Sequence, residues 1–203
     1  GPAGRELAPR IHDQLEAALN AGDSILRDRS GRRGPFRPGE ELGAVLKLPE
    51  PESPGEWSRR NASRLETAEG ELQRYQNLSR DFEELMNSAT RGRFALRLMS
   101  ALSDVQACSW RLLLATAECD REGKEAAGLK LLAEIERFEE AQAKFLDVFS
   151  ETRFLNNPPG YHLDQNHHPH LANVRNDPSW IFALESGYCE NARQWLGRYS
   201  FKP

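Results

Sequence analysis

The sequence predicts an all-α chain: an antiparallel bundle of long helices with a long ordered His-rich loop and a C-terminal helix. Three observations carry this. Leucine, alanine, glutamate and arginine are abundant while valine and isoleucine are scarce, which favours helix over strand. Apolar residues recur at steps of three and four along most of the chain. A break of one or two residues around Gly123 separates two long periodic stretches, which implies an antiparallel hairpin.

The first helix is predicted over 5–29, where Leu7, Ile11, Leu15 and Leu19 step by four and Ile25 and Leu26 prolong the stripe. Pro9 stands near its start, where a missing N–H costs little. His12 reads as a solvated helix residue with no role. From 30 to 56 the pattern breaks. Gly31, Gly34, Pro35, Pro38 and Gly39 punctuate a basic loop, a short apolar piece covers 42–48, and Pro49, Pro51 and Pro54 form an acidic connector. The cluster Arg27, Arg29, Arg32, Arg33 and Arg37 reads as a solvated loop or a contact for an acidic partner or phosphate. The division falls here: 1–53 holds the N-terminal helix, basic loop and connector, and 54–203 the bundle with its capping loop at 151–180.

The second helix is predicted over 54–90 on the stripe Trp57, Asn61, Leu65, Ala68, Leu72, Tyr75, Phe82, Leu85 and Met86. The third covers 91–121: Phe94, Leu98, Leu102, Val105, Cys108, Leu112, Ala115 and Cys119 form its stripe. Trp110 and the leucines at 112–114 widen that stripe, so this helix should be central. The fourth covers 124–151 on Ala127, Leu131, Ile135, Phe138, Phe145 and Phe149. Its Glu134, Glu136, Glu139 and Glu140 face water beside Arg137 and Lys144. A last helix opens at Asp177, a candidate N-cap, with Pro178 as its first residue. Phe182, Glu185, Cys189 and Trp195 mark its faces.

Composition excludes several classes. The net charge is −4 and the pI near 5.8, so nucleic acid is not the expected partner. There is no apolar run of membrane-spanning length, so no membrane span is expected. The first residues lack both a basic and an apolar segment, so no signal peptide is expected. Gly1-Pro2 matches the scar left by a protease, so residue 1 need not be the natural start. Cys108, Cys119 and Cys189 fit no zinc or CxxC spacing and read as buried free thiols. Asn61-Ala62-Ser63 matches a glycosylation sequon, which on a helix reads as chance. No dinucleotide or nucleotide loop occurs, and no cofactor is expected. No nucleophile elbow is present, and no predicted helix carries the Glu-x-x-His pair of a di-iron bundle.

One stretch remains, 151–180. It holds four of the five histidines, and no helix or strand period runs through it. A loop this long inside a compact domain is usually functional or disordered, and Phe154, Tyr161 and Trp180 argue for order because they need burial. Its core is Asp164-Gln165-Asn166-His167-His168-Pro169-His170. Imidazole and carboxylate suit a transition metal, which makes Asp164, His167, His168 and His170 the candidate ligands. Tyr161, His162, Asp164, Asn166, His168, His170 and Trp180 are candidates for contact with a sugar, another polar ligand or a protein surface. The third reading is structural: these side chains satisfy loop backbone and helix ends, with Tyr161 and Trp180 as anchors. Arg153 beside Glu151 reads as a structural ion pair or loop anchor.

From the second helix onward the chain resembles the helical region that follows the catalytic barrel in some bacterial family 20 glycoside hydrolases, the β-N-acetylhexosaminidase class. The residues that carry the resemblance are 145–154 (FLDVFSETRF) and 160–173 (GYHLDQNHHPHLAN), followed by Trp180 and Glu185. The family's barrel uses an adjacent Asp-Glu pair, and no such pair occurs in this chain, so no catalytic residue carries over. The resemblance implies a non-catalytic accessory domain of a carbohydrate-active protein, partnered by the catalytic domain of the same parent. A stand-alone helical interaction module, partnered by another protein surface, and a small metal-binding helical protein are the alternatives.

Overall fold

In the computed structural model the described residues are 24–28, 45–156 and 182–198, with positions 9 and 12; at 152–156 the backbone alone is described. They are predominantly helical, as the composition predicts. Five helices are present among them: α1 (Glu56–Arg60), α2 (Ala62–Ser88), α3 (Arg93–Glu122), α4 (Glu125–Asn156) and α5 (Ala183–Leu196). The extended structure among them is one isolated antiparallel bridge, Arg27 with Val45. The His-rich stretch from 157 and the predicted cap at Asp177 lie outside the described residues. Pro9 and His12 are helical and exposed, as expected for them.

The helix α3 is central. Its leucine and alanine stripe is buried against α2 on one side and α4 on the other. Two glycines set its ends: Gly92 at φ 72° and Gly123 at φ 61° adopt the left-handed conformation that a side chain resists. The chain reverses at both points. Ser79 on α2 donates to Asp104 on α3 at 2.5 Å and lies 3.2 Å from Ser100. Across α3 and α4 the ion pairs are Arg97–Glu151, Asp104–Lys144 and Glu118–Lys130. In each of these three pairs the two residues are equally far along the chain from Lys124. That is the register of an antiparallel hairpin turning there. The pairs are solvent-facing, so they select register more than they stabilise.

The main apolar cluster joins Val105, Leu112 and Leu113 of α3 to Leu131, Ile135 and Phe138 of α4, and takes in Tyr188 of α5. Leu26 and Leu46, from outside the helices, belong to the same cluster. A second cluster, centred on Phe82, fills the space between the far half of α2 and the start of α3. Cys108, Cys119 and Cys189 are free and buried, as predicted.

Three helix limits differ from the sequence reading. The predicted second helix is broken at Asn61, which leaves helical geometry at φ −103°, ψ 17°. Its side-chain amide and its backbone N–H both donate to Trp57 O, which ends α1 locally. The fourth helix runs past 151 to Asn156, so the first residues assigned to the loop are helical. Glu151 there pairs with Arg97 of α3; the Arg153 side chain, expected beside it, lies outside the described residues. Finally, 24–28 is not the end of a helix. It forms a turn and then bridges Val45, and Arg27, predicted in a basic solvated cluster, is buried at 4% exposure.

Candidate functional site

Polar side chains converge where 24–28 and 45–50 cross the helices. Those two short segments make an extended strap, with Leu46 N–H donating to Leu26 O at 2.7 Å. Arg64 of α2 holds one side. Its guanidinium donates to Ile25 O at 2.8 Å and to Arg27 O at 2.7 Å, which suits a planar fork better than a point charge. Two indoles hold the other side: Trp57 donates to Lys47 O at 2.5 Å, and Trp195 to Pro49 O at 2.9 Å. Here the helix pattern of 5–29 is overridden. The carbonyls a continuing helix would use internally are claimed by Arg64, and Ser24 Oγ accepts Leu26 N–H at 3.1 Å.

Helix α5 supplies the acidic member. Glu185, in its first turn and 7% exposed, accepts a hydrogen bond from Ser24 Oγ at 2.5 Å. Burial raises its carboxyl above the ordinary range; the Ser24 hydrogen bond and the Arg27 charge oppose that rise without cancelling it. Two residues on, Gly187 lets the strap approach: a Cβ there would lie 3.2 Å from Val45 Cγ2. Helix α5 is further fixed by Thr116–Tyr188, 2.7 Å apart and both fully buried, and by Gln142 donating to Ser186 at 2.9 Å. Its entry residue Phe182 has φ 63°. A side chain held there costs about 1–3 kcal/mol. An edge-on contact with Phe145, centroids 5.4 Å apart, compensates in part.

Beside the strap lies a cleft of about 570 Å³ lined by Lys47, Glu50, Trp57, Arg60 and Arg64 among others. Both charge signs occur on its rim. Trp57 is only 2% exposed, so it is a wall held by its indole bond and not a stacking platform. A second, more apolar cleft of about 390 Å³ lies between α4 and α5, lined by Leu129, Leu132, Arg193 and Leu196. Leu129 is 61% exposed.

The arrangement is suited to holding chain segments together. Asp120 accepts Ser58 N–H at 2.8 Å and so caps α1 from another helix. Burial pushes the Cys108 thiol up to about 11 and those of Cys119 and Cys189 up to about 12, which keeps them protonated at neutral pH. Among the described residues no group of three or more His, Cys, Asp or Glu is placed to hold a metal, and no helix is long and apolar enough to cross a membrane.

The residues singled out from sequence, Tyr161, His162, Asp164, Asn166, His167, His168, His170 and Trp180, lie outside the described residues. The strap and its holders were missed as a site. One signal was available: Glu185 stands between Phe182 and Cys189 at helical spacing, so a carboxylate was predictable on an apolar face. For Arg64 no such signal exists, because its partners are backbone carbonyls. No family model, curated protein or solved structure matches the chain.

Proposed function

We propose that the chain is a non-catalytic helical accessory domain of a larger carbohydrate-active protein of the β-N-acetylhexosaminidase type, docking against that protein's catalytic domain. One observation carries the non-catalytic part. The polar side chains where the strap meets the helices, buried or partly buried, tie distant segments to one another: Arg64 to 25 and 27, Glu185 to Ser24, Trp57 and Trp195 to 47 and 49. Such a framework presents surfaces and holds no activated nucleophile among its buried thiols. The carbohydrate-active parent rests on the resemblance of 145–154 and 160–173. In this reading the His-rich stretch caps an antiparallel bundle, with Tyr161 and Trp180 as its anchors.

A stand-alone interaction module is the second reading, and the exposed Leu129 beside an apolar cleft favours it. The gene's reading frame 5′ of the Gly1 codon separates the two. A strand–helix repeat with an adjacent Asp-Glu pair supports the accessory domain. A start codon at that point overturns it and leaves the module.

A further inference from the structure

The apolar cleft between α4 and α5 carries an exposed leucine, an acid and a base on one surface, in an order that fits a second copy of the same surface. We propose that this cleft is the contact surface of a two-fold symmetric dimer, in which Leu129 of each copy packs against the cleft of the other. The contact needs no catalytic neighbour, so it goes beyond the accessory-domain reading and does not rest on it.

The register of the two helices orders the cleft. Gln142 of α4 meets Ser186 of α5, and Glu139 meets Arg193. The helices therefore run antiparallel, and the end of α5 lies beside the start of α4. Glu125, in the first turn of α4, stands at one end of the cleft with Leu196. Arg193, in the last turn of α5, stands towards the other end, because its partner Glu139 lies further along α4. Leu129 and Leu132 fall between the two charges. Each charge also suits its own helix end. Leu129 has no such reason. At 61% it is the exposed large apolar side chain among the described residues. A lone leucine on a surface is ordinary, but this one borders a cleft walled by Leu132 and Leu196, so it extends an apolar patch.

A two-fold contact requires every group to find its partner within the same patch. An axis through the middle of the cleft meets that requirement. It sets the acidic end of one copy against the basic end of the other, twice, with the two Leu129 side chains near the axis. The Arg193–Glu139 pair does not prevent this: its side chains are 39% and 48% exposed, so it contributes little and yields Arg193 at little cost. Removing Leu129 and the cleft leucines from water favours the contact. Seven residues line the cleft. A standard interface uses about 20–30 a side, so this dimer is weak and dissociates on dilution.

Sedimentation velocity of the full chain, from about 10 µM to about 1 mM, tests this, and a concentration-dependent passage from monomer to dimer is expected. L129K should weaken association by about tenfold or more. E125R and R193E each set like charges opposite one another in their own dimers, so each alone should associate less than wild type. Mixed in equal amounts they should associate again, because across the axis every introduced charge then faces its opposite. A chain that stays monomeric throughout overturns the proposal. So does a dimer that survives L129K, or a mixture that associates no better than its two components. If a charge variant does not fold, L129C decides, since the native thiols are buried. In a glutathione redox buffer it should join two copies through a disulfide faster than E84C, at an exposed position on α2; equal rates overturn the dimer. None of these outcomes bears on the accessory-domain reading, which the reading frame tests separately.

Discussion

The hydroxyl pair Thr116–Tyr188 gives a prediction whose asymmetry is fixed by proton count. The oxygens are 2.7 Å apart, and both residues are fully buried. Thr116 Oγ1 also lies 2.8 Å from Leu112 O, one turn back, and a carbonyl can only accept. The single threonine proton therefore goes to Leu112, and Tyr188 must donate to Thr116. Removing each partner leaves a different residue of damage. In Tyr188→Phe the threonine keeps its own proton bonded and loses only an accepted bond, at the lower end of a net hydrogen bond, about 0.5–1.5 kcal/mol. In Thr116→Val, near-isosteric, the tyrosine O–H remains as a buried unsatisfied donor, which costs about 1–3 kcal/mol. The double variant leaves neither group and should cost less than the two single changes added together. Urea unfolding of the four proteins, with equal slopes as the check on two-state behaviour, measures all three differences. A Tyr188→Phe cost larger than that of Thr116→Val, or strict additivity, would refute the assignment of donor and acceptor.

Three further outcomes are expected. Arg64→Ala should destabilise by about 2 kcal/mol or more, since two charge-assisted bonds to Ile25 O and Arg27 O are lost, and Arg64→Lys should recover little because an ammonium lacks the fork; full recovery by lysine in urea unfolding would count against the bidentate clamp. Gly187→Ala should be close to neutral alone, because a helix gain of about 1 kcal/mol opposes crowding of Val45, and should become stabilising when tested in a Val45→Ala background. The thiols of Cys108, Cys119 and Cys189, pushed up to about 11, 12 and 12, should be unreactive to an aromatic disulfide at pH 8 in the native protein and react together on unfolding; a fast-reacting thiol in native conditions would contradict their burial.

The helices were legible wherever one periodic stripe met one partner. Val105, Cys108, Leu112, Ala115 and Cys119 recur at helical spacing and are all buried on α3, and Gly123 marked the reversal. Limits were less legible. The stripe runs straight through Trp57, Asn61 and Leu65, so periodicity cannot report that Asn61 turns its amide back onto Trp57 O.

The strap shows what periodicity cannot carry. Leu26 falls on the same helical face as Leu7 to Leu19, and periodicity alone would extend the helix through it. What decides the matter lies 37 to 39 residues away in Arg64 and 161 residues away in Glu185. A helix would satisfy the carbonyls of Ile25 and Arg27 for itself; the guanidinium satisfies them from outside and frees the segment to pair with Val45 and Leu46. Burying Leu26 and Leu46 in the common core then follows from the same choice. A charged residue whose partners are main-chain atoms leaves no pattern in the residue string, because every position offers the same carbonyl. An acid on an apolar helix face does leave one, and Glu185 between Phe182 and Cys189 is that case.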